Sequence, residues 1–123
     1  MIETELFDRF TKDEPFRIVK TVFNHYGGRS DFPRTVSLLL NKTGIVMDYD
    51  GCRFPGDLDE YELHHDYNGV LFEGVECWSL DDEITVSEDV FYEILKEACQ
   101  RYIELNPDRR EELEQIMSQS TLI

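Results

Sequence analysis

Positive charge is scarce in this sequence relative to negative. Twelve lysines and arginines stand against 27 aspartates and glutamates, a formal net charge of -15 over 123 residues. A field of that sign repels nucleic acid and anionic membrane surfaces and attracts cations, basic peptides and basic proteins. Cysteine is scarce as well. Cys52, Cys77 and Cys99 are odd in number, widely spaced and form no CxxC pair. That argues against a disulfide framework or a zinc knuckle and for small core hydrophobes in a reducing compartment. No apolar run approaches the roughly 18 residues of a membrane span. The opening Met1-Ile-Glu-Thr-Glu-Leu6 lacks the basic-then-apolar order of a signal peptide. The chain therefore reads as cytoplasmic.

Hydrophobic residues make up 41% of the chain and aromatics 12%, enough for one core without staples. We expect a single domain over residues 1–123. A short helical turn is expected over Leu6–Phe10. Asp13-Glu14-Pro15 has the acids and proline that a first helical turn favours, and Phe16, Val19, Val22, Phe23 and Tyr26 follow at helical spacing, with Gly27-Gly28 as the stop. A second helix is expected from about Asp31 to Lys42, ended by Gly44. Ile45-Val-Met47 reads as a short strand, Asp50-Gly51 and Pro55-Gly56-Asp57 as turns, and the rest of 45–71 as an irregular, partly stranded acidic region. Val75, Cys77 and Ser79 alternate with Glu76, Trp78 and Leu80, Asp81-Asp82 punctuates, and Glu83-Ile-Thr-Val86 resumes, which makes a β-hairpin. Ser87 is a helix cap. After it, Val90, Phe91, Ile94, Leu95, Ala98, Cys99, Tyr102 and Ile103 form a wide apolar stripe that ends at Asn106-Pro107. A last helix starts at Asp108 and turns Leu113, Ile116 and Met117 inward. The expected fold class is α+β, with helices flanking a small antiparallel sheet.

The charge is unevenly spread. Between Asp48 and Asp89 there are fourteen acids and one base, Arg53; the rest of the chain holds thirteen acids and eleven bases. Acidity that served solubility alone would not concentrate in this way, and crowding like charges costs stability that a basic partner would relieve. Tyr49, Phe54, Tyr61, Tyr67, Phe72 and Trp78 are interleaved with the acids, a mixture that suits a protein interface.

Catalytic and metal motifs fare poorly. There is no GxSxG, P-loop or GxGxxG. Adjacent His64 and His65, if on extended chain, point to opposite faces and do not grip one metal. Asp48-Tyr-Asp50-Gly51 and Asp57-Leu-Asp59-Glu60 are only fragments of a calcium loop. No catalytic residue, cofactor or metal is expected.

One stretch has a family look. Phe72-Glu-Gly-Val-Glu-Cys77, Asp81-Asp-Glu-Ile-Thr-Val-Ser87, Phe91-Tyr-Glu-Ile-Leu95, Ala98-Cys-Gln-Arg-Tyr-Ile-Glu104 and Pro107, with the earlier Phe54-Pro-Gly-Asp57, resemble the immunity proteins of bacterial contact-dependent growth inhibition (CDI) systems, in particular those set against ribonuclease toxins. The resemblance covers the C-terminal half to two thirds of the chain. It implies a cytoplasmic α+β protein that binds and blocks the C-terminal toxin domain delivered by a neighbouring cell. Cys77 stands where the family look leads one to expect a larger apolar residue.

On charge, the expected toxin contacts are Asp57, Asp59, Glu60, Tyr61, Glu62, Asp66, Tyr67, Asp81 and Asp82, the acids pairing with toxin arginine and lysine and the tyrosines packing between them. The expected partner is a basic nuclease toxin, with no direct binding to nucleic acid or membrane. An acidic adaptor for another basic protein is the alternative, and a hydrolase or metal enzyme built on His64, His65 and nearby acids is a third reading.

Overall fold

A computed structural model of the chain describes residues 6–7, 14–29 and 31–123. Five helices and three strands follow one another as α1 (Arg17–Arg29), α2 (Phe32–Leu40), β1 (Asp50–Arg53), α3 (Glu60–Asp66), β2 (Val75–Ser79), β3 (Asp82–Val86), α4 (Glu88–Leu105) and α5 (Arg110–Ser118). The class is α+β, as expected. Strands β1, β2 and β3 lie side by side in chain order, antiparallel throughout.

Helix α1 buries Val19, Val22, Phe23 and Tyr26 completely. It lies against the sheet on one side and against α2 and α4 on the other, so its apolar residues must serve more than one neighbour. The Phe23 and Phe91 rings meet edge to face at 5.3 Å, and Phe54 closes on Phe91 at 5.6 Å, tying α1 and α4 to the chain after β1. Fully buried aromatic clusters of this kind supply the largest share of a small core's burial energy. The Gly27-Gly28 stop is passed: α1 runs on to Arg29. Leu6 packs where Gly27 has no side chain, within 3.0 Å of where a Cβ would sit, so Gly27 serves a close approach rather than a helix end. The turn expected over Leu6–Phe10 lies in part outside the described residues; Leu6 and Phe7 are buried.

Helix α2 ends at Leu40, earlier than the Lys42 expected. Thr43 N–H donates to Leu38 O and Lys42 N–H to Leu39 O, with Lys42 at φ 55. That is a Schellman ending with lysine in the left-handed position glycine usually takes. Gly44 has another duty. A Cβ there would lie 2.3 Å from the Cys52 carbonyl oxygen.

The 45–71 region departs most from expectation. Asp50-Gly51 is not a turn but the start of β1, and Ile45–Met47 contributes only an isolated bridge, Val46 to Gly51. The turn sits between them, closed by Met47 N–H to Asp50 O at 2.7 Å. Pro55–Asp57 is one turn of 3-10 helix. Residues 60–66, read as irregular, form α3, because Asp59 and Glu62 make a capping box: Glu62 N–H donates to Asp59 Oδ1 at 2.7 Å and Asp59 N–H to Glu62 Oε1 at 3.2 Å. Two acids counted only for charge thus start a helix.

The hairpin and α4 are as expected, with one shift. Ser79 pairs with Asp82, so the turn is Leu80-Asp81 and Asp82 opens β3. Gly74, at φ 91, lets the chain enter β2 beside Val86 O, 2.1 Å from where a Cβ would sit. Ser87 caps α4 by accepting from Val90 N–H, and the helix ends at Leu105 before Asn106-Pro107. The alternation along β2 gives the sheet two faces. Val75 and Cys77, with Cys52 and Val86 opposite, are buried on the inner face. Arg53, Glu76, Trp78, Glu83 and Thr85 point the other way and stay half-buried or exposed.

Candidate functional site

The outer face of the sheet is built in rows. Residues paired across antiparallel strands put their side chains on the same side. One row is Arg53, Glu76 and Thr85; the next is Val46, Gly51, Trp78 and Glu83. Gly51 supplies no side chain, and Trp78 occupies the space: a Cβ on Gly51 would lie 3.2 Å from Trp78 Cζ2 and 2.9 Å from Val46 Cα. The Arg53 guanidinium stands 5.7 Å from the centre of the Trp78 ring. Beyond the strands, Leu80 N–H donates to Tyr49 O at 2.8 Å, which carries the β1–β2 register on to Tyr49 and Leu80.

Helix α3 joins the other end of this face. Arg53 Nη2 is 3.2 Å from Glu62 Oε2, and the Tyr67 hydroxyl donates to Glu76 Oε1. Burial, then the bond to Glu76, pushes the Tyr67 phenol above its usual value. Phe72 packs on Tyr67 at 5.5 Å between ring centres. On the exposed side of α3, Tyr61 and His65 stack at 3.9 Å, with the His65 ring also bonded to the Tyr61 carbonyl. His64 and His65 therefore sit on a helix, about 100° apart around its axis, and not on the extended chain assumed from sequence. Among the described residues no group of three His, Cys, Asp or Glu is placed to hold a metal ion.

The nine expected contact residues divide by what they already do. Asp57 Oδ2 accepts from Phe54 N–H at 2.7 Å and Gly44 N–H at 2.9 Å. Asp59 caps α3, Glu62 pairs with Arg53, Tyr67 with Glu76, and Asp82 with Arg17 at 3.4 Å. Glu60, Tyr61, Asp66 and Asp81 are exposed, as are Asp57, Asp59 and Asp82. Residues 57–67 are brought together around α3. Asp81 and Asp82 are not with them: they lie at the far end of β2, three residues along the strand from the Arg53–Glu76–Thr85 row, roughly 10 Å away. Ten of the fourteen acids between 48 and 89 are exposed. Asp50 is not one of them. It is 1% exposed, paired with His25 of α1, and its Oδ1 finds no hydrogen-bond partner.

The interleaved aromatics also divide. Phe54 is core, Tyr67, Phe72 and Trp78 are half-buried, and Tyr49 and Tyr61 are exposed. Val46, Leu80 and, after α3, Val70 and Leu71 are exposed large apolar residues that the sequence did not single out. The one available signal was Leu80 itself, an apolar residue in a two-residue hairpin loop where Gly, Asn or Asp is usual.

All three cysteines are buried and free. Burial pushes their thiols up, Cys99 to about 12, so none is activated as a nucleophile.

A surface of aromatic and acidic groups, with few of them engaged in chemistry-like geometry, is suited to binding a protein. A family model described as CDI immunity protein matches residues 15–117. The chain belongs to the CDI immunity protein family. No curated protein matches its sequence. Membership makes immunity to a CDI toxin the role of this chain, and the cognate toxin its partner. No helix among the described residues is long and apolar enough to cross a membrane.

Proposed function

We propose that this CDI immunity protein neutralises a nuclease toxin domain, of ribonuclease type, by covering the basic cleft in which the toxin holds its polyanionic substrate. The protein performs no chemistry of its own and acts in the cytoplasm, where the toxin arrives. The observation that carries the reading is the coincidence of charge with exposed and half-buried rings. The segment from 48 to 89 holds fourteen acids and one base, and Tyr49, Tyr61 and Trp78 stand among them.

Asp57, Asp59, Glu60, Tyr61, Glu62, Asp66, Tyr67, Asp81 and Asp82 are the proposed contacts, with Glu60, Asp66 and Asp81 pairing directly with toxin arginines and lysines. Complementary charge speeds encounter, up to about 10⁸–10⁹ M⁻¹s⁻¹ at low salt. Selectivity among toxins then comes from shape and from mispaired charge.

The test is association with the toxin domain encoded immediately upstream, followed at increasing salt. Charge reversal belongs at Glu60 and Asp66. Asp59 is a poor probe, because its carboxylate starts α3 and its replacement confounds folding with binding. Salt-independent association, or unchanged rates in Glu60→Lys/Asp66→Lys, refutes the charge-steered reading.

A further inference from the structure

The end of the sheet away from α3 carries a strip that the charge argument does not explain. Val46, Tyr49 and Leu80 are 61%, 70% and 73% exposed. Val46 and Trp78 share a row over the bare backbone of Gly51, and Leu80 is hydrogen-bonded to Tyr49 in the continuing register. Exposed apolar side chains scattered singly need no explanation, but a contiguous group rimmed by polar residues marks an interaction surface.

Leu80 makes the case sharper. Its φ is 56, the left-handed region in which a leucine is strained and glycine or asparagine is not. A residue that strains its own turn and then leaves its side chain in water helps neither the turn nor the core. Local strain of this kind is held in place by the surrounding structure and clusters at active and binding sites.

The occupant follows from the rim. Asp48, Asp81 and Glu83 surround the strip and are exposed. A second copy of this chain, itself at net charge -15, would bring acid against acid there. A cationic protein surface would not. We infer that Val46, Tyr49, Trp78 and Leu80 form the anchor of the toxin interface, receiving an apolar or aromatic side chain that the toxin surrounds with lysine and arginine. This rests on the toxin reading above and adds a division of labour. The acids around α3 govern how fast the complex forms, and the strip governs how long it lasts.

The experiment uses the full chain, the upstream-encoded toxin domain, and Leu80→Gly alone and with Tyr49→Ala. Leu80→Gly relieves the strained φ, so its melting temperature stays at or above that of the unsubstituted chain. Its toxin complex dissociates about 10-fold faster, and that of the double variant about 100-fold faster, as loss of a central anchor does. Unchanged dissociation in a folded double variant, while Glu60→Lys/Asp66→Lys still slows association, overturns the anchor and leaves the toxin reading standing. No binding by the unsubstituted chain overturns both. A dimer of the unsubstituted chain that the double variant abolishes, with toxin binding intact, assigns the strip to a second copy and overturns the inference.

Discussion

The helical scaffold and the segment from 46 to 83 handle the same residue types in opposite ways. On the scaffold, acids meet bases: Lys20 with Glu14, Arg101 with Glu97, Arg109 with both Asp31 and Glu112. Large apolar residues are covered, and Leu105 is the one scaffold member among the seven exposed large hydrophobics in the described residues. In the middle segment, Val46, Tyr49, Tyr61, Val70, Leu71 and Leu80 face solvent, and acids far outnumber the single Arg53. One part has its interactions completed within the chain. The other leaves more of them open to solvent.

The comparison breaks first in the core. Phe91 is fully buried between Phe23 and Phe54, and Phe91→Ala should cost about 3–5 kcal/mol in urea unfolding, since it removes a large ring and leaves a cavity. A loss below about 1 kcal/mol would mean the scaffold is not the rigid half.

Alkaline pH is a second way to weaken the scaffold. Burial holds the Tyr26 and Tyr92 phenols above their ordinary 10.0, with Tyr26 bonded to Ile45 O and Tyr92 to Leu39 O. The folded state keeps these protons while the unfolded chain releases them. Their contribution is therefore complete below pH 10 and is lost as pH rises beyond it. Urea midpoints should fall between pH 9 and pH 11, and fall less in Tyr26→Phe. Equal slopes in the two proteins would remove Tyr26 from the account.

Smaller effects sharpen the boundary. Ser87→Ala removes the α4 cap and should cost about 1 kcal/mol. Asp59→Ala should cost a similar amount, because its side-chain oxygen likewise accepts the N–H three residues on and starts α3 inside the open segment. A much smaller loss for Asp59→Ala would place α3 wholly on the binding side of the division. Least of all, Glu60→Lys/Asp66→Lys should leave stability within about 0.5 kcal/mol while slowing toxin association, as rim charges do.

Legibility followed the same division. Helix α4 and the hairpin were readable because their apolar periods are long and one-sided and the signals at their ends are local: Asp81-Asp82, Ser87, Asn106-Pro107. Helix α3 was missed because it is short and has no buried residue, so no apolar stripe announces it; only Asp59 and Glu62, three apart, could have. Strand β1 was missed because Asp50-Gly51 has turn chemistry. Tertiary pairing overrides it: the buried Asp50 carboxylate is held by its pairing with His25, and Gly51 is the one residue that lets Trp78 lie across the strand. Among the nine expected contacts, charge could not tell Glu60 from Asp57, which is likewise exposed but whose carboxylate holds two backbone amides.

Amino-acid order alone was enough for the class of fold, the acidic middle segment and the family, because periodicity, composition and motif spacing are carried by near neighbours in the chain. Which acids are spent on the fold, and which apolar residues gather at one end of the sheet, depended on strand register. Val46, Tyr49, Trp78 and Leu80 are spread over more than thirty positions, and only cross-strand pairing makes them neighbours.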